Sequence, residues 1–147
     1  MGSDSTPPMT YAEPMTLHTY PLRVQLHDTD AAGVLFFAHQ LRYAHDAYEA
    51  MMAERGLPIA ELLRSGSAHL PIVHCEADYL VPLRHGDRVD VDVRLQRLGT
   101  TSFSLHYRFI SGGRRAATAT TVHVAIDPET KNKIPLPENI KLIFSNK

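Results

Sequence analysis

The chain has 147 residues, and its 16 acidic and 15 basic side chains leave a net charge of −1. This near balance, without any run of five Lys or Arg residues, argues against nucleic-acid binding, and no apolar run approaches the length of a membrane span. The single cysteine, Cys75, is too few for an internal disulfide, so we expect a protein of the reducing cytoplasm.

The length is that of one domain. We interpret residues 1–19 as a loose N-terminal tail, because they contain Ser, Thr and Pro but no continuous apolar segment. Residues 20–147 form the predicted domain. Its first element is a strand in which Leu22, Val24 and Leu26 alternate with polar residues.

The longest helical pattern follows a short loop. Its apolar residues recur at spacings of three and four, which predicts one stripe on an α-helix: Phe37, Leu41, Ala44, Tyr48, Met51 and Met52. Gly56 and Pro58 predict that this helix ends near Arg55. A shorter helix is predicted from Pro58 to about Arg64, since Ser65-Gly66-Ser67 ends the pattern.

Four strand patterns and a final short helix occupy the rest of the chain. The strands are residues 70–81, with Val73, Cys75, Ala77, Tyr79 and Val81 on one face, then residues 88–95, 103–109 and about 116–126. The short helix runs from Pro137 through Phe144. About five mainly antiparallel strands and one long helix predict an α+β domain in which the helix covers the apolar face of the sheet.

The loop before the long helix carries the candidate chemistry. It contains Asp28 and Asp30, three small residues that end at Gly33, and an apolar run from Val34 to Phe37. Asp30 is thereby delivered close to the helix start, where free backbone N–H groups and the positive end of the helix dipole collect. A carboxylate beside oriented amide donors suits chemistry on a carbonyl group.

Residues 28–37, Asp-Thr-Asp-Ala-Ala-Gly-Val-Leu-Phe-Phe, resemble the signature loop of hotdog-fold acyl-CoA thioesterases of the 4-hydroxybenzoyl-CoA thioesterase type. Similar segments follow: His-Asp-Ala-Tyr-Glu at 45–49, Leu-Pro-Ile-Val-His at 70–74, Gly-Asp-Arg at 86–88 and Pro-Leu-Pro at 135–137. Together they look most like the branch that hydrolyses 1,4-dihydroxy-2-naphthoyl-CoA in phylloquinone and menaquinone synthesis. The resemblance covers roughly residues 20–137.

The resemblance implies a hotdog fold, in which a sheet wraps around one central helix, and a hydrolase that needs no cofactor. It implies that Asp30 is the catalytic carboxylate, as nucleophile or as general base, and that a backbone N–H at about Phe37 polarises the thioester carbonyl. Because hotdog proteins typically join their sheets edge to edge, we expect a homo-oligomer, arranged as a dimer of dimers.

Several residues are candidates for substrate contacts. Those near the loop, the helix start and the second strand are Gly33, Val34, Phe36, His39 and His74. The apolar run from Val34 to Phe37 predicts a wall for a flat aryl group, with nearby histidines as partners for its hydroxyls. The basic residues Arg84, His85 and Arg88 are candidates for contact with the coenzyme A phosphates.

Alternatives accompany these assignments. Asp28 is either a second carboxylate that tunes Asp30 or, as we favour, a hydrogen-bonding turn residue. Glu49 is the first alternative catalytic carboxylate, because another hotdog branch uses a helix glutamate. His39 and His45 would lie on different sides of the helix, and we expect no metal site. Cys75 lies in an apolar strand pattern, which predicts a buried, unreactive thiol.

Two other functions are compatible with the sequence. One is a thioesterase for aliphatic acyl-CoA or acyl carrier protein, and the other is a hotdog ligand-binding module without catalysis. A serine hydrolase lacks support because the chain contains no Gly-x-Ser-x-Gly sequence. The His-Phe-Pro loop of hotdog dehydratases is also absent.

Overall fold

Five strands and three α-helices make up the part of the chain that the structure, a computed structural model, describes, residues 15–145. In chain order the elements are β1 (Thr16–Arg23), a 3₁₀ turn (Leu26–Asp28), α1 (Phe37–Glu54), α2 (Ile59–Ser65), β2 (Ile72–Tyr79), β3 (Arg88–Leu98), β4 (Ser102–Ser111), β5 (Arg114–Val124) and α3 (Glu138–Ile143). The rest of the predicted tail, residues 1–14, lies outside the described residues.

All five strands form one antiparallel sheet in the order β1-β3-β4-β5-β2. β3, β4 and β5 form two consecutive hairpins at its centre. The second hairpin turns through Gly112 and Gly113, which both have positive φ. β1 and β2 are the edges. The predicted α+β architecture is confirmed, with one long helix against one sheet.

The core lies between α1 and the inner face of the sheet. Alternate residues of β3 point inward and are buried at Val89, Val91 and Val93, and β4 adds Leu105, Tyr107 and Phe109. This period of two is the pattern that predicted both strands. α1 contributes Ala44, Ala47, Tyr48, Met51 and Met52 from one side of the helix.

The two ends of α1 differ in how closely they follow the predicted stripe. At the C-terminus the prediction is confirmed, since Gly56 adopts a φ of +100° and the N–H of Leu57 reaches the carbonyl of Met52 at 2.9 Å. At the N-terminus the stripe is wrong, because Phe37 is 61% exposed and the polar Gln40 is buried instead. The side chain of Phe37 at the helix start therefore projects past the core.

The first strand also departs from its predicted bounds. β1 begins at Thr16, so residues 16–19 belong to the sheet and not to the tail. The apolar alternation continues past Arg23, but Leu26 lies in the 3₁₀ turn and is exposed. Here the N–H of Asp28 bonds to the carbonyl of Gln25 at 3.0 Å, which turns the chain out of the sheet toward the loop.

Within residues 15–145, β2 pairs only with β5, and most of its residues are exposed. Cys75 is exposed, so the predicted buried thiol is wrong. The reason is tertiary: α1 packs mainly on β1 and β3 and leaves the inner face of this edge strand largely uncovered. The alternation of β2 therefore predicted the strand but not its burial.

One histidine belongs to the core. The ring of His123 is stacked between Phe103 and Tyr48, with both centroid distances 4.7 Å, and its Nε2 lies 2.9 Å from the hydroxyl of Thr121. Burial in this apolar setting lowers the pKa of His123 to about 4. His123 is therefore neutral at pH 7.

None of the three described α-helices has the length and apolarity that a membrane span requires.

Candidate active site

A buried carboxylate fixes the loop before α1. Asp28 is 2% exposed; its Oδ2 accepts a hydrogen bond of 2.7 Å from the hydroxyl of Tyr43, and its Oδ1 pairs with the guanidinium of Arg42. Burial opposes its negative charge, but the bonds from Tyr43 and Arg42 outweigh burial and lower the pKa of Asp28. Both partners lie on α1, so Asp28 ties the loop to the helix. This is the hydrogen-bonding role favoured from sequence.

Asp30 lies two residues further on and is exposed. Its Oδ1 accepts hydrogen bonds from the backbone N–H groups of Ala32 at 2.8 Å and Val34 at 3.2 Å. Its own N–H donates to the carbonyl of Val34 at 2.8 Å. These bonds fix the orientation of the carboxylate through Oδ1, while Oδ2 has no hydrogen-bond partner among the described residues.

The loop turns at Gly33, which has a φ of +77°. A Cβ at this position would meet no atom within 4 Å, so the glycine serves the backbone conformation and leaves open space beside it. The carbonyl of Gly33 accepts from the N–H of His85 at 3.0 Å, and the N–H of Leu35 donates to Leu83 at 2.7 Å. The segment before β3 therefore supports the loop from one side.

The start of α1 provides an unused amide donor. The N–H of Phe36 is occupied by the carbonyl of Asp28 at 2.9 Å, but the N–H of Phe37 donates to no described residue. Such a free donor at a helix N-terminus can stabilise negative charge on an oxygen. The carbonyl of Phe37 accepts from the hydroxyl of Tyr79 at 3.1 Å, which fixes this turn against β2.

A cleft of about 410 Å³ opens beside this turn. Apolar side chains dominate its lining, which includes Val34, Phe37, Gln40, Tyr79, Leu83 and Ala117. Gln40 and Tyr79 carry the only polar side chains among the described residues that line it. The volume falls within the range of small-molecule sites, about 300–1,000 Å³.

The structure brings some of the predicted site residues together. Val34 and Phe37 line the cleft. The ring of Phe36 lies 4.8 Å from that of Phe37 and 5.8 Å from that of His39, so both residues stand near the helix start. His74 does not join them, because it lies five residues before Tyr79 on β2, roughly 17 Å along the strand. It pairs instead with Glu76 at 2.9 Å.

The other candidates have different surroundings. Glu49 is exposed and stands twelve residues after Phe37 on α1, about 18 Å along the helix axis. Arg84, His85 and Arg88 are exposed around the turn that supports the loop. Among residues 15–145, no cluster of three or more His, Cys, Asp or Glu residues could hold a metal ion.

Sequence reasoning missed four residues of this region. Arg42 and Tyr43 anchor Asp28, and Gln40 and Tyr79 line the cleft. The spacing from Gln40 to Tyr43 and Ala44 gave a signal, since all three fall on one helix face. Tyr79 gave none, because its place depends on how β2 pairs with β5.

Comparison with known proteins supports the assignment of a family. A 1,4-dihydroxy-2-naphthoyl-CoA hydrolase from Synechococcus elongatus is 39% identical over 119 residues, which are 80% of this chain and 88% of that protein. One from Picosynechococcus is 37% identical over 144 residues, with 94% of each chain covered. The crystal structure of a 1,4-dihydroxy-2-naphthoyl-CoA thioesterase from Synechocystis matches with a TM-score of 0.81 and 31% identity, covering 86% of this chain and 93% of that one.

The structural match confirms the hotdog fold that the resemblance implied. The family model of the thioesterase-like superfamily matches residues 24–144, which include the Asp30 loop, α1 and the whole cleft. The chain therefore belongs to the thioesterase-like superfamily.

Proposed function

We propose that this protein hydrolyses an aromatic acyl-CoA thioester, most specifically 1,4-dihydroxy-2-naphthoyl-CoA, in phylloquinone or menaquinone synthesis. The observation that carries the proposal is the arrangement around the start of α1. The carboxylate of Asp30 is oriented by the N–H of Val34, and Val34 lines an apolar cleft together with Phe37, whose own N–H is unused. The names of the relatives from Synechococcus, Picosynechococcus and Synechocystis supply the acyl group.

In the proposed reaction the acyl group occupies the cleft, and the thioester oxygen accepts a hydrogen bond from the N–H of Phe37. Oδ2 of Asp30 attacks the carbonyl carbon to give a mixed anhydride, or it deprotonates a water that attacks instead. In both cases negative charge builds on the carbonyl oxygen, where a preoriented amide donor is worth roughly 3–4 kcal/mol of barrier in other enzymes. Coenzyme A leaves as the thiolate and takes up a proton, from water in the anhydride route or from protonated Asp30 in the general-base route. In the anhydride route water then hydrolyses the anhydride, which releases the free acid and restores the Asp30 carboxylate.

The shape of the cleft supports an aromatic acyl group. Phe37 and Tyr79 meet edge to face at its rim, with ring centroids 6.5 Å apart. A flat ring can pack against such a rim and gain about 0.5–1.5 kcal/mol beyond the burial of its area. A flexible alkyl chain would lose rotamer freedom on binding the same space.

The test is kcat/KM for dihydroxynaphthoyl-, hydroxybenzoyl-, phenylacetyl-, hexanoyl- and palmitoyl-CoA at one pH. We expect the dihydroxynaphthoyl ester to lead by at least about tenfold, or about 1.4 kcal/mol of transition-state discrimination. A preference for an aliphatic ester would exclude the aromatic assignment and leave a thioesterase. Inactivity toward every ester, together with tight binding, would identify a ligand-binding module.

We also propose that two copies join through β2, as the first step toward a dimer of dimers. β1 contains Pro21, which suits an unpaired edge, whereas β2 has no proline and exposes Val73 and Tyr79. An antiparallel pair of β2 strands would continue the sheet across both copies and cover these side chains. The cleft would then lie near the subunit boundary, because Tyr79 ends β2.

Cys75 makes this dimer testable. It lies in the middle of β2 and is the only cysteine of the chain. If β2 pairs with its copy, the two Cys75 side chains come within about 5–8 Å, as opposite or diagonal neighbours. We expect a short bis-maleimide to convert the protein into a covalent dimer, and Cys75→Ser to prevent this. A stable active monomer in light scattering would refute the dimer. In the cytoplasm, our proposed location, this thiol would stay reduced.

A further inference from the structure

We propose that Gln40 determines specificity within the cleft: its side-chain oxygen accepts a hydrogen bond from the ring hydroxyl that lies far from the thioester. This inference rests on the proposed function, because it concerns recognition of a hydroxylated aryl group. It replaces the histidines that the sequence had indicated for this role, since neither His39 nor His74 lines the cleft.

The amide of Gln40 has a fixed orientation. Gln40 is 1% exposed, and its Nε2 donates to the carbonyl of Thr118 on β5 at 2.9 Å and to the carbonyl of Asp78 on β2 at 3.4 Å. A carbonyl oxygen only accepts hydrogen bonds, so the amide nitrogen must face these two strands. The oxygen Oε1 therefore takes the other position, and it has no partner among the described residues.

Gln40 is also placed correctly along the helix. It follows Phe37 by three residues, so both lie on one side of α1, about 4.5 Å apart along its axis. Both line the same cleft. A ligand whose carbonyl meets the N–H of Phe37 thus extends past Gln40.

The chemistry of the ligand selects one hydroxyl. In 1,4-dihydroxy-2-naphthoyl-CoA the 1-hydroxyl is adjacent to the carbonyl and can donate to it within the molecule. The 4-hydroxyl has no such internal partner and enters a largely apolar cleft, where an unpaired donor is unfavourable. The other polar side chain there, that of Tyr79, donates its hydroxyl proton to the carbonyl of Phe37, and its oxygen is the competing acceptor that the Tyr79→Phe control removes. The unpaired acceptor, Oε1 of Gln40, therefore matches the unpaired donor, the 4-hydroxyl of the acyl group.

The kinetic test compares two esters, 1,4-dihydroxy-2-naphthoyl-CoA and 1-hydroxy-2-naphthoyl-CoA, on wild type and on Gln40→Met. Met has nearly the length of Gln but lacks the amide. We expect wild type to favour the dihydroxy ester by about tenfold in kcat/KM, and Gln40→Met to abolish this preference. Tyr79→Phe is the matched control, since it removes the other polar group of the cleft and should keep the preference.

A spectroscopic test avoids any effect of the substitution on folding. The chain contains three glutamines, Gln25, Gln40 and Gln96, so wild type labelled with ¹³C at the glutamine side-chain carbonyl gives three signals. We expect 1,4-dihydroxy-2-naphthoate to shift the Gln40 signal more than 1-hydroxy-2-naphthoate does at saturation. The exposed Gln25 and Gln96 serve as internal references.

The outcomes separate this inference from the proposed function. If wild type hydrolyses neither ester, the proposed function fails. If wild type hydrolyses both and Gln40→Met keeps the preference, or the Gln40 signal responds equally to both carboxylates, then only the role of Gln40 is refuted. Loss of the preference in Tyr79→Phe alone would assign the hydroxyl to Tyr79 and also refute it.

Discussion

Asp30→Asn is expected to lower kcat/KM for thioester hydrolysis by about 10²–10⁴-fold, the range for loss of a positioned acid–base group. The substitution preserves the loop, because the Asn oxygen can still accept from the N–H groups of Ala32 and Val34. What it removes is the negative charge and the free carboxylate oxygen. Activity should therefore fall without loss of stability.

The measurement is kcat/KM together with a thermal melt for each variant. Glu49→Gln is the matched control, because it removes an exposed carboxylate from the same helix about 18 Å from Phe37. It should leave the rate unchanged. Full activity in Asp30→Asn would refute the role given to Asp30. A loss confined to Glu49→Gln would transfer the chemistry to the helix carboxylate.

His123 is expected to make the fold sensitive to acid. Its pKa is about 4 in the folded protein, below the ordinary value of 6.5, so the unfolded chain binds the additional proton between these values. The free energy of unfolding should be fully present above about pH 6.5 and fall as the pH decreases toward 4. The loss from this residue is about 3 kcal/mol, from 1.36 kcal/mol per pKa unit.

Urea unfolding of wild type and His123→Phe between pH 7.5 and 4.5 isolates this contribution. Phe retains a ring between Phe103 and Tyr48 but cannot bind a proton. The free energy of unfolding of His123→Phe, relative to that of wild type, should increase as the pH decreases. Substituting the exposed His85 by Asn should leave the pH profile of wild type unchanged. Parallel profiles for wild type and His123→Phe would show that His123 does not control the acid sensitivity.

The sequence predicted the elements whose burial is local and regular. β3 alternates because one of its faces meets the core, and α1 ends where Gly56 permits a positive φ. The strand β2 was found, but its exposure was not, because exposure depends on which strands α1 covers. Cys75 was misplaced for the same reason.

Some residues of the site could likewise be predicted from the sequence and others could not. Asp30 and Phe37 are recognisable because the loop and the helix start lie within one short segment. The acceptor in the cleft, Oε1 of Gln40, was not recognisable from the sequence. The burial of Gln40 requires carbonyl groups on two strands that are distant in sequence. A polar residue on an apolar helix stripe was the available signal.

The order of strands in the sheet has a consequence for the mobility of the cleft wall. The β3–β4–β5 meander joins neighbours in sequence, whereas Tyr79 on β2 pairs with Ala117 and Arg23 on β1 pairs with Arg88. The entropic cost of closing a loop rises with the number of residues in it, so these edge pairings carry the largest entropic cost in the sheet. Both edge strands lack a second strand neighbour in the described chain, but α1 packs on β1 and covers little of β2. Local opening therefore releases β2 most easily, and the wall that carries Tyr79 can separate from α1 while the meander stays folded.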